Sequence, residues 1–433
     1  MLNSTLLSSA QNVINSKAPV QFQMVAKFIN SQSGSSFAFY PLRISQLEIE
    51  KDFIGKFADV IKLTMMISPK DYALLQDQGQ NLLCVLTITY LDKTGQVTYT
   101  PPPIQTQYNV IINDPRDIRK AVPDIQVYTH PSETITVQLV EPLIYNLRHT
   151  KINTVYQNIT VKNAIYAITQ AFGISKIQLV DPENTHQYDH IDLSSYLGID
   201  SIYTYLQSKC GVYPKGSTHY ITGGCLYLYP PFETAPSYDK TAIFYQVDTG
   251  RFSGNHVFHK LENKNLSIVI NSQPQSFDLS VAGSENVGTG FVFTRASRLT
   301  DGVTTIDSNN GAQFTDNPAL SVNLATNRTA VKDSNNLFHI KSTDNPYPAM
   351  SNIVAHQASI MNVQWMNCDP FQLDPGHAVT YYYDYNGAAV KRTGILESAR
   401  FVLSNMAKPS TKDQFGAVGD LVLRLSPNQT KVY

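Results

Sequence analysis

Charge is scarce in this chain of 433 residues. Only 15% are Asp, Glu, Lys or Arg, and Lys+Arg 33 against Asp+Glu 34 leaves a net charge of -1. That balance argues against nucleic-acid binding, which needs a clustered basic surface to meet phosphates. No apolar run approaches the roughly 20 residues that span a bilayer. The first 17 residues are polar, with neither a basic n-region nor an apolar core, so no signal peptide is expected. Four cysteines (84, 210, 225 and 368) are widely spaced and form no C-x2-C pair. Structural zinc and a disulfide framework are therefore not expected, and reduced thiols fit synthesis in the cytoplasm. Tryptophan occurs once, at Trp365.

Tyrosine is abundant, at 25 residues, and the apolar fraction is 42%. Low charge with many tyrosines suits surfaces covered by partners, and it also suits β domains. The length allows two or three domains, each with its own core.

Residues 20–112 read mainly as strands. Phe22, Met24, Ala26 and Phe28 alternate with polar residues, and Leu47 with Ile49 begins another run. Residues 84–90 are rich in β-branched types, with a hairpin loop expected at 92–95 and a return strand at 96–100. One helix interrupts: Ser68 is placed to cap, Pro69 suits the first turn, and Asp71 meets the positive end of the dipole. Ala73, Leu74 and Leu75 would form its apolar side.

The middle segment, 113–248, mixes helices and strands. Residues 155–173 read as a helix capped by Thr160, with Val161, Ala164, Ile165, Ile168 and Phe172 on one face and Gly173 ending it. A second helix is bracketed by Asp200 and Gly211, with Ile202, Tyr205 and Leu206 inward, and a glycine turn leads to a strand at 225–230. Core packing accounts for both stripes. From about 250 the pattern returns to β, with strands expected at 266–270, 290–293, 363–365 and 379–385, the last meeting the hairpin pair Asn386-Gly387. The composition of 300–348 shifts to Asp, Asn, Ser and Thr, as in a long loop excursion.

The search for chemistry yields little. His186, His190 and Asp192 have metal-ligand types at tight spacing but no third cluster, and His256 with His259 would face opposite sides of a strand. Glu48 and Glu50 share a strand face, as a glycosidase pair could, but Lys51 and Asp52 beside them read as a solvated charged edge. Tyr381 with Tyr383 and Tyr227 with Tyr229 could line a carbohydrate groove, although half-buried sheet faces need only such alternation. No nucleotide-binding or hydrolase motif is present, and Gly288 with Gly290 reads as a turn. No catalytic, cofactor-binding or metal residue is assigned.

Residues 155–173, the helix ending Lys209-Cys-Gly-Val-Tyr213, and Gly223-Gly-Cys-Leu-Tyr-Leu-Tyr-Pro230 resemble the middle domain of baseplate hub proteins of contractile-tailed bacteriophages, the late-control type tail proteins among them. Asp374-Pro-Gly-His-Ala-Val-Thr, then Asn386-Gly387 and Gly394, resemble that family's second barrel, and the opening β region resembles its first. The resemblance implies a mainly β (α+β) chain: a tail-tube-like barrel at 1–112, a small α/β domain at 113–248 and a second barrel at 249–433. It implies a non-enzymatic virion protein, without cofactor, that forms a homotrimer in the tail baseplate. Its partners would be the central spike and the tail tube or its adaptor, with tape measure and wedge proteins as further neighbours. The polar stretch 300–348 departs from the family pattern. A wedge or distal-tail component and a carbohydrate-binding tail receptor are the alternatives.

Overall fold

The structure is a computed structural model. It describes residues 4–16, 21–30, 38–77, 82–91, 103–112, 132–213, 216–231, 241–247, 259–262, 265–270, 275–278, 292–296, 303–307, 330–332, 338–340, 359–385, 387–405, 414–425 and 430–432. The expected loop at 92–95, its return strand at 96–100, Gly288, Gly290, His256 and Asn386 lie outside the described residues.

A short helix comes first, α1 (Ser4–Ile14), followed by β1 (Gln21–Asn30), β2 (Ala38–Phe39), β3 (Arg43–Asp52) and β4 (Val60–Ile67). Helix α2 (Pro69–Asp77) leads to β5 (Leu82–Leu91), β6 (Ile104–Ile112) and β7 (Glu133–Val140). Next come α3 (Pro142–His149), β8 (Lys151–Thr160), α4 (Val161–Ala171), β9 (Lys176–Leu179), β10 (Gln187–Gly198), α5 (Ile202–Lys209), β11 (Thr218–Thr222) and β12 (Cys225–Tyr229). The remaining strands are β13 (Thr241–Gln246), β14 (His259–Glu262), β15 (Asn265–Ile270), β16 (Gln275–Asp278), β17 (Val292–Ala296), β18 (Val303–Asp307), β19 (Ala330–Lys332) and β20 (Phe338–Ile340). The chain ends with β21 (Ser359–Met366), β22 (Ala378–Tyr385), β23 (Ala388–Asn405), β24 (Gln414–Leu425) and β25 (Thr430–Val432).

The architecture is mainly β. One large sheet runs β14-β15-β13-β22-β23-β3-β4-β7-β6-β5-β1-β24-β21-β16, and β23 also pairs with β24. That extra pairing closes a circuit of eight strands: β23, β3, β4, β7, β6, β5, β1 and β24. Closure leaves these eight strands with few open edges, the usual hazard of a long β sheet. The first and last thirds of the chain therefore build one ring. Strand β7 belongs to it although it lies beyond residue 112.

Strand β23 is long, with 18 residues, because it serves both parts of the sheet. Its first half pairs with β22, from Ala388↔Tyr385 to Ile395↔Ala378, and its second half with β3, from Ser398↔Asp52 to Ser404↔Gln46. The ladder with β24 spans the change and contains a bulge between Leu396 and Ser398. Extra twist at a bulge lets a strand turn out of one sheet curvature into another. Glu397, the residue at that bulge, pairs with Arg424 of β24 at 2.6 Å, with both side chains largely buried. Gly394 lies just before it. A Cβ there would collide with the backbone of Arg424 and Leu425, so glycine is what permits the close approach.

The core follows from strand alternation. Phe22, Met24, Ala26 and Phe28 of β1 are all buried, as are Leu47 and Ile49 of β3. They join one continuous apolar cluster with Trp365, Tyr381, Phe401 and Leu423 from the C-terminal strands. A second cluster lies under α3, α4 and α5 and holds Val161, Ala164, Ile165, Ile168 and Phe172, the face expected from the sequence. Thr160 caps α4 by accepting from the Asn163 N–H, and Gly173 has φ 73, the left-handed value that ends a helix. Ser68 caps α2 by accepting from the Asp71 N–H at 3.1 Å.

Several expectations change. Residues 155–160 belong to β8 and not to the helix; Val155, Ile159 and Thr160 are β-branched and favour a pleat. The cap residue of α5 is Ser201 rather than Asp200, and its side chain makes no capping bond. His190 and Asp192 lie on β10 rather than in a loop. Within 300–348 the described residues include β18, β19 and β20, which with β17 form a separate four-stranded sheet instead of a plain loop. Helix α1, unmarked by any charge, packs Leu6, Ala10, Val13 and Ile14 against Val247 and Val269.

Gly394→Ala should destabilise the fold by about 2–3 kcal/mol, the scale of forced overpacking at a backbone contact. Chemical denaturation measures it; unchanged stability would mean that the β23–β24 approach is looser than described.

Candidate functional site

Strand β3 organises the one dense cluster of charged groups. Its outward residues form a row across the neighbouring strands. Glu48 accepts from Arg400 at 2.9 Å and faces Lys62 at 3.7 Å, and Glu50 pairs with Lys56. Opposite Arg400 stands Asp420, which accepts from the Gln364 amide at 3.2 Å. Arg400 holds the Glu48 carboxyl below its usual range. This row borders a concave surface of about 520 Å³ that Glu50, Asp52, Gln364, Arg400 and Asp420 help to line. Its charges are already paired and largely solvated, so it has little to offer a single ligand.

Lys51 points the other way. It is 7% exposed and makes an ion pair with Asp374, in the segment between β21 and β22. Burial alone would lower its pKa, but Asp374 and then Asp59 raise it well above the ordinary lysine value. The ammonium therefore stays charged and cannot act as a base or nucleophile at neutral pH. Asp59 is half-buried and accepts a hydrogen bond from the Tyr220 hydroxyl of β11. Burial raises its carboxyl pKa, opposed by Lys51 and Tyr220. Glu141, between β7 and α3, faces the same group and is raised for the same reason.

The expected charged edge is thus corrected on two counts. β3 is paired on both sides, by β4 and β23, and Lys51 lies in the interior. Sequence reasoning missed Lys51 because its ion-pair partner, Asp374, lies 323 residues further along the chain. The available signal was parity: Leu47, Ile49 and Lys51 share a face.

The segment 367–377 crosses one end of the eight-strand circuit. Phe371 packs on Phe22 of β1, Asp369 accepts from Tyr90 of β5 at 3.3 Å, and Asp374 reaches Lys51 of β3. Cys368 N–H donates to Ala417 of β24 and Gly376 N–H to Leu396 of β23. Five strands of the circuit are tied by this one segment.

On the other side, residues 53–59, the turn from β3 to β4, dock on the α/β part. Ile221 N–H donates to the Phe57 carbonyl at 2.8 Å, and Ala58 forms a bridge with Ile221. The Thr218 hydroxyl donates to the Phe53 carbonyl, and the Phe53 ring packs on Tyr220 at 4.0 Å. The cluster therefore joins three parts of the chain.

The other candidate residues are scattered. His186, His190 and Asp192 are exposed, with His186 edge-on to Tyr188. Among the described residues no group of three His, Cys, Asp or Glu side chains is placed to hold a metal ion. Tyr381 and Tyr229 are buried, so each expected aromatic pair loses one platform to the core. Cys84 is buried too, and burial pushes its thiol up to about 12. No described helix is long and apolar enough to cross a membrane.

No protein-family model matches the sequence, and no curated protein matches it. Among solved structures the chain is similar to bacteriophage tail proteins and a related secretion component. The tail protein from Neisseria meningitidis MC58 matches with a TM-score of 0.48 and 12% identity, over 93% of this chain and 96% of that one. The 43 kDa tail protein of prophage MuSo2 from Shewanella oneidensis gives 0.47 and 10%, over 94% and 96%. The E. coli c3393 protein, a component of the type VI secretion system, gives 0.42 and 9%, over 94% and 79%.

Lys51→Met should cost about 3 kcal/mol, because it strands Asp59 and Asp374 beside each other without a cation. The double change Lys51→Met with Asp374→Leu should recover part of that loss in urea denaturation; a double variant as unstable as the single one would show that the pair is not the coupling.

Acid should expose a second weakness. Burial lowers His219 and His259 to about 4. As pH falls from about 6.5 toward 4 the unfolded chain takes up protons that these folded imidazoles refuse, so their contribution to stability is lost. Asp369, raised by burial to about 6, works in the opposite sense, since the folded state takes up its proton first. Replacing both histidines by glutamine should therefore flatten the loss of stability between pH 7 and 4.5, by about 2 kcal/mol per histidine. Parallel stability–pH curves for variant and parent would refute this.

Proposed function

We propose that the protein is a structural component of a bacteriophage tail, a baseplate hub that joins the tail tube to the central spike. The observation that carries the reading is the closed circuit of eight strands whose closing hairpin, β23–β24, continues into a second part of the same sheet. An α/β unit is inserted between β7 and β13. Two barrels flanking a small middle domain is the arrangement that the sequence resemblance implies, in the same order.

In this reading the first barrel comprises β1, β3 to β7, the second half of β23 and the first half of β24. The second comprises β13 to β16, β21, β22 and the remainder of the hairpin. The middle domain covers roughly 142–230, narrower than the segment 113–248 expected from sequence, because β7 lies within the first barrel. Three copies would place six barrels in a ring, matching a hexameric tube on one face and a trimeric spike on the other. Rotational closure buries the same patches on each copy. It accounts for the low charge of the chain.

Such a protein needs stiffness and complementary surfaces, not a reacting group. The paired outer charges and the enclosed Lys51 cluster fit that demand. Virion tail localisation, the homotrimer, the spike and tube partners and the absence of enzymatic activity all belong to this proposal.

Light scattering should give the mass of three chains, either for the protein alone or after mixing with the spike protein of its tail. A single-chain mass under both conditions would sink the hub reading.

A further inference from the structure

Two aromatic rings in the C-terminal half of the sheet each bury a nitrogen that no other protein group meets. Trp365 Nε1, on β21, and His259 Nδ1, on β14, make no hydrogen bond within the protein. Both residues lie deep in the interior, at 0% and 3% exposure. The rings are neighbours, with centres 5.4 Å apart and planes at 84°.

The two nitrogens are chemically complementary. An indole N–H is a donor and nothing else. His259 hydrogen-bonds the Asn367 backbone in the sense that favours its protonated form, so a ring N–H donates to that carbonyl. Burial lowers its pKa to about 4, which leaves the imidazole neutral at pH 7 with a single N–H. The nitrogen bonded to Asn367 carries that proton, and Nδ1 therefore keeps a lone pair and accepts. A donor and an acceptor thus stand on adjacent rings without meeting directly. A water oxygen about 2.9 Å from each of two nitrogens spans up to roughly 5.8 Å, which suits this spacing.

We propose that one internal water is bound between His259 and Trp365, accepting from the indole N–H and donating to His259 Nδ1, and that it ties strand β14 to strand β21.

The position in the sheet gives such a water a structural purpose. Strand β14 ends the large sheet and pairs with β15 alone among the described strands. Its other described polar ties run to the N-terminal segment: Ser16 donates to the His259 carbonyl at 2.8 Å, and Lys260 to Asn12 at 3.4 Å. Strand β21 pairs with β16 only from Ser359 to Asn362, and from there to Met366 its ladder is with β24. No described backbone ladder joins β14 to β21, although Ile268 of β15 and Trp365 share one apolar cluster. Apolar packing alone does not fix the rotation of a ring about its axis. A water held by both nitrogens does, and it restores to each the hydrogen bond that it has in the unfolded chain.

Trp365 is the single tryptophan, so its indole N–H gives one unmistakable resonance in the spectrum of the intact, deuterated chain. That proton should show a cross-peak to water in nuclear Overhauser spectra. In the rotating frame the cross-peak should have the sign opposite to the diagonal, which separates a bound water from proton exchange. His259→Leu removes the acceptor and should lower the cross-peak by about tenfold, the equilibrium worth of one hydrogen bond. Absence of the cross-peak in the parent chain would overturn the proposal without need of any variant. A cross-peak of the exchange sign alone would do the same, since it would report solvent reaching the indole. An undiminished cross-peak in His259→Leu would overturn it as well, by placing the water on other groups.

Discussion

The ladder between β23 and β24 is the constraint on which the rest of this protein depends. It runs from Gly394↔Leu425 to Asn405↔Phe415 and is the only route by which the strand circuit closes among the described residues. Its sequence must satisfy two sheets in succession. Before the bulge β23 faces β22, and after it β3 takes over. Glycine at 394, the bulge, and the Glu397–Arg424 pair lie within a few residues of each other, where the strand changes partners. Non-local pairing of this kind is slow to form, since strands near the N-terminus wait for residues nearly 400 positions later.

That order of assembly gives the segment 367–377 its role. A closed circuit presents an open end whose apolar lining must be covered. Phe371 and Leu373 supply apolar cover, and Asp369 and Asp374 supply polar ties to Tyr90 and Lys51. Burying a lysine is costly unless it is paired, and the reward is often specificity of arrangement rather than stability. Lys51 meets Asp374 only when the segment lies in one register. We therefore read the pair as a device that fixes where the segment sits.

Much of this was legible in the sequence where the pattern is local. Alternation identified the inward residues of β1, and spacing identified the buried face of α4 together with its cap and its terminal glycine. Legibility failed where tertiary contacts decide. Nothing around Lys51 in sequence announces Asp374, Asp59 or Tyr220, because each comes from a different element. Strand β8 runs directly into α4 at Thr160, so no intervening turn marks where the strand ends and the helix begins. Helix α1 carries no charge to mark its ends and is held by its packing on β13 and β15.

One strand, β3, meets three different demands, and its alternation makes this possible. Outward residues join the charge row with Arg400, inward ones fill the core and hold Lys51, and its end leads into the turn that docks on β11. A rigid strand paired on both sides cannot shift along its axis without breaking both ladders. A displacement of the docked turn must therefore be absorbed at residues 53–59 rather than passed into the circuit. The α/β core reaches onto the circuit through Ala58 and Val140, so the end of β3 is held by packing as well as by its hydrogen bonds.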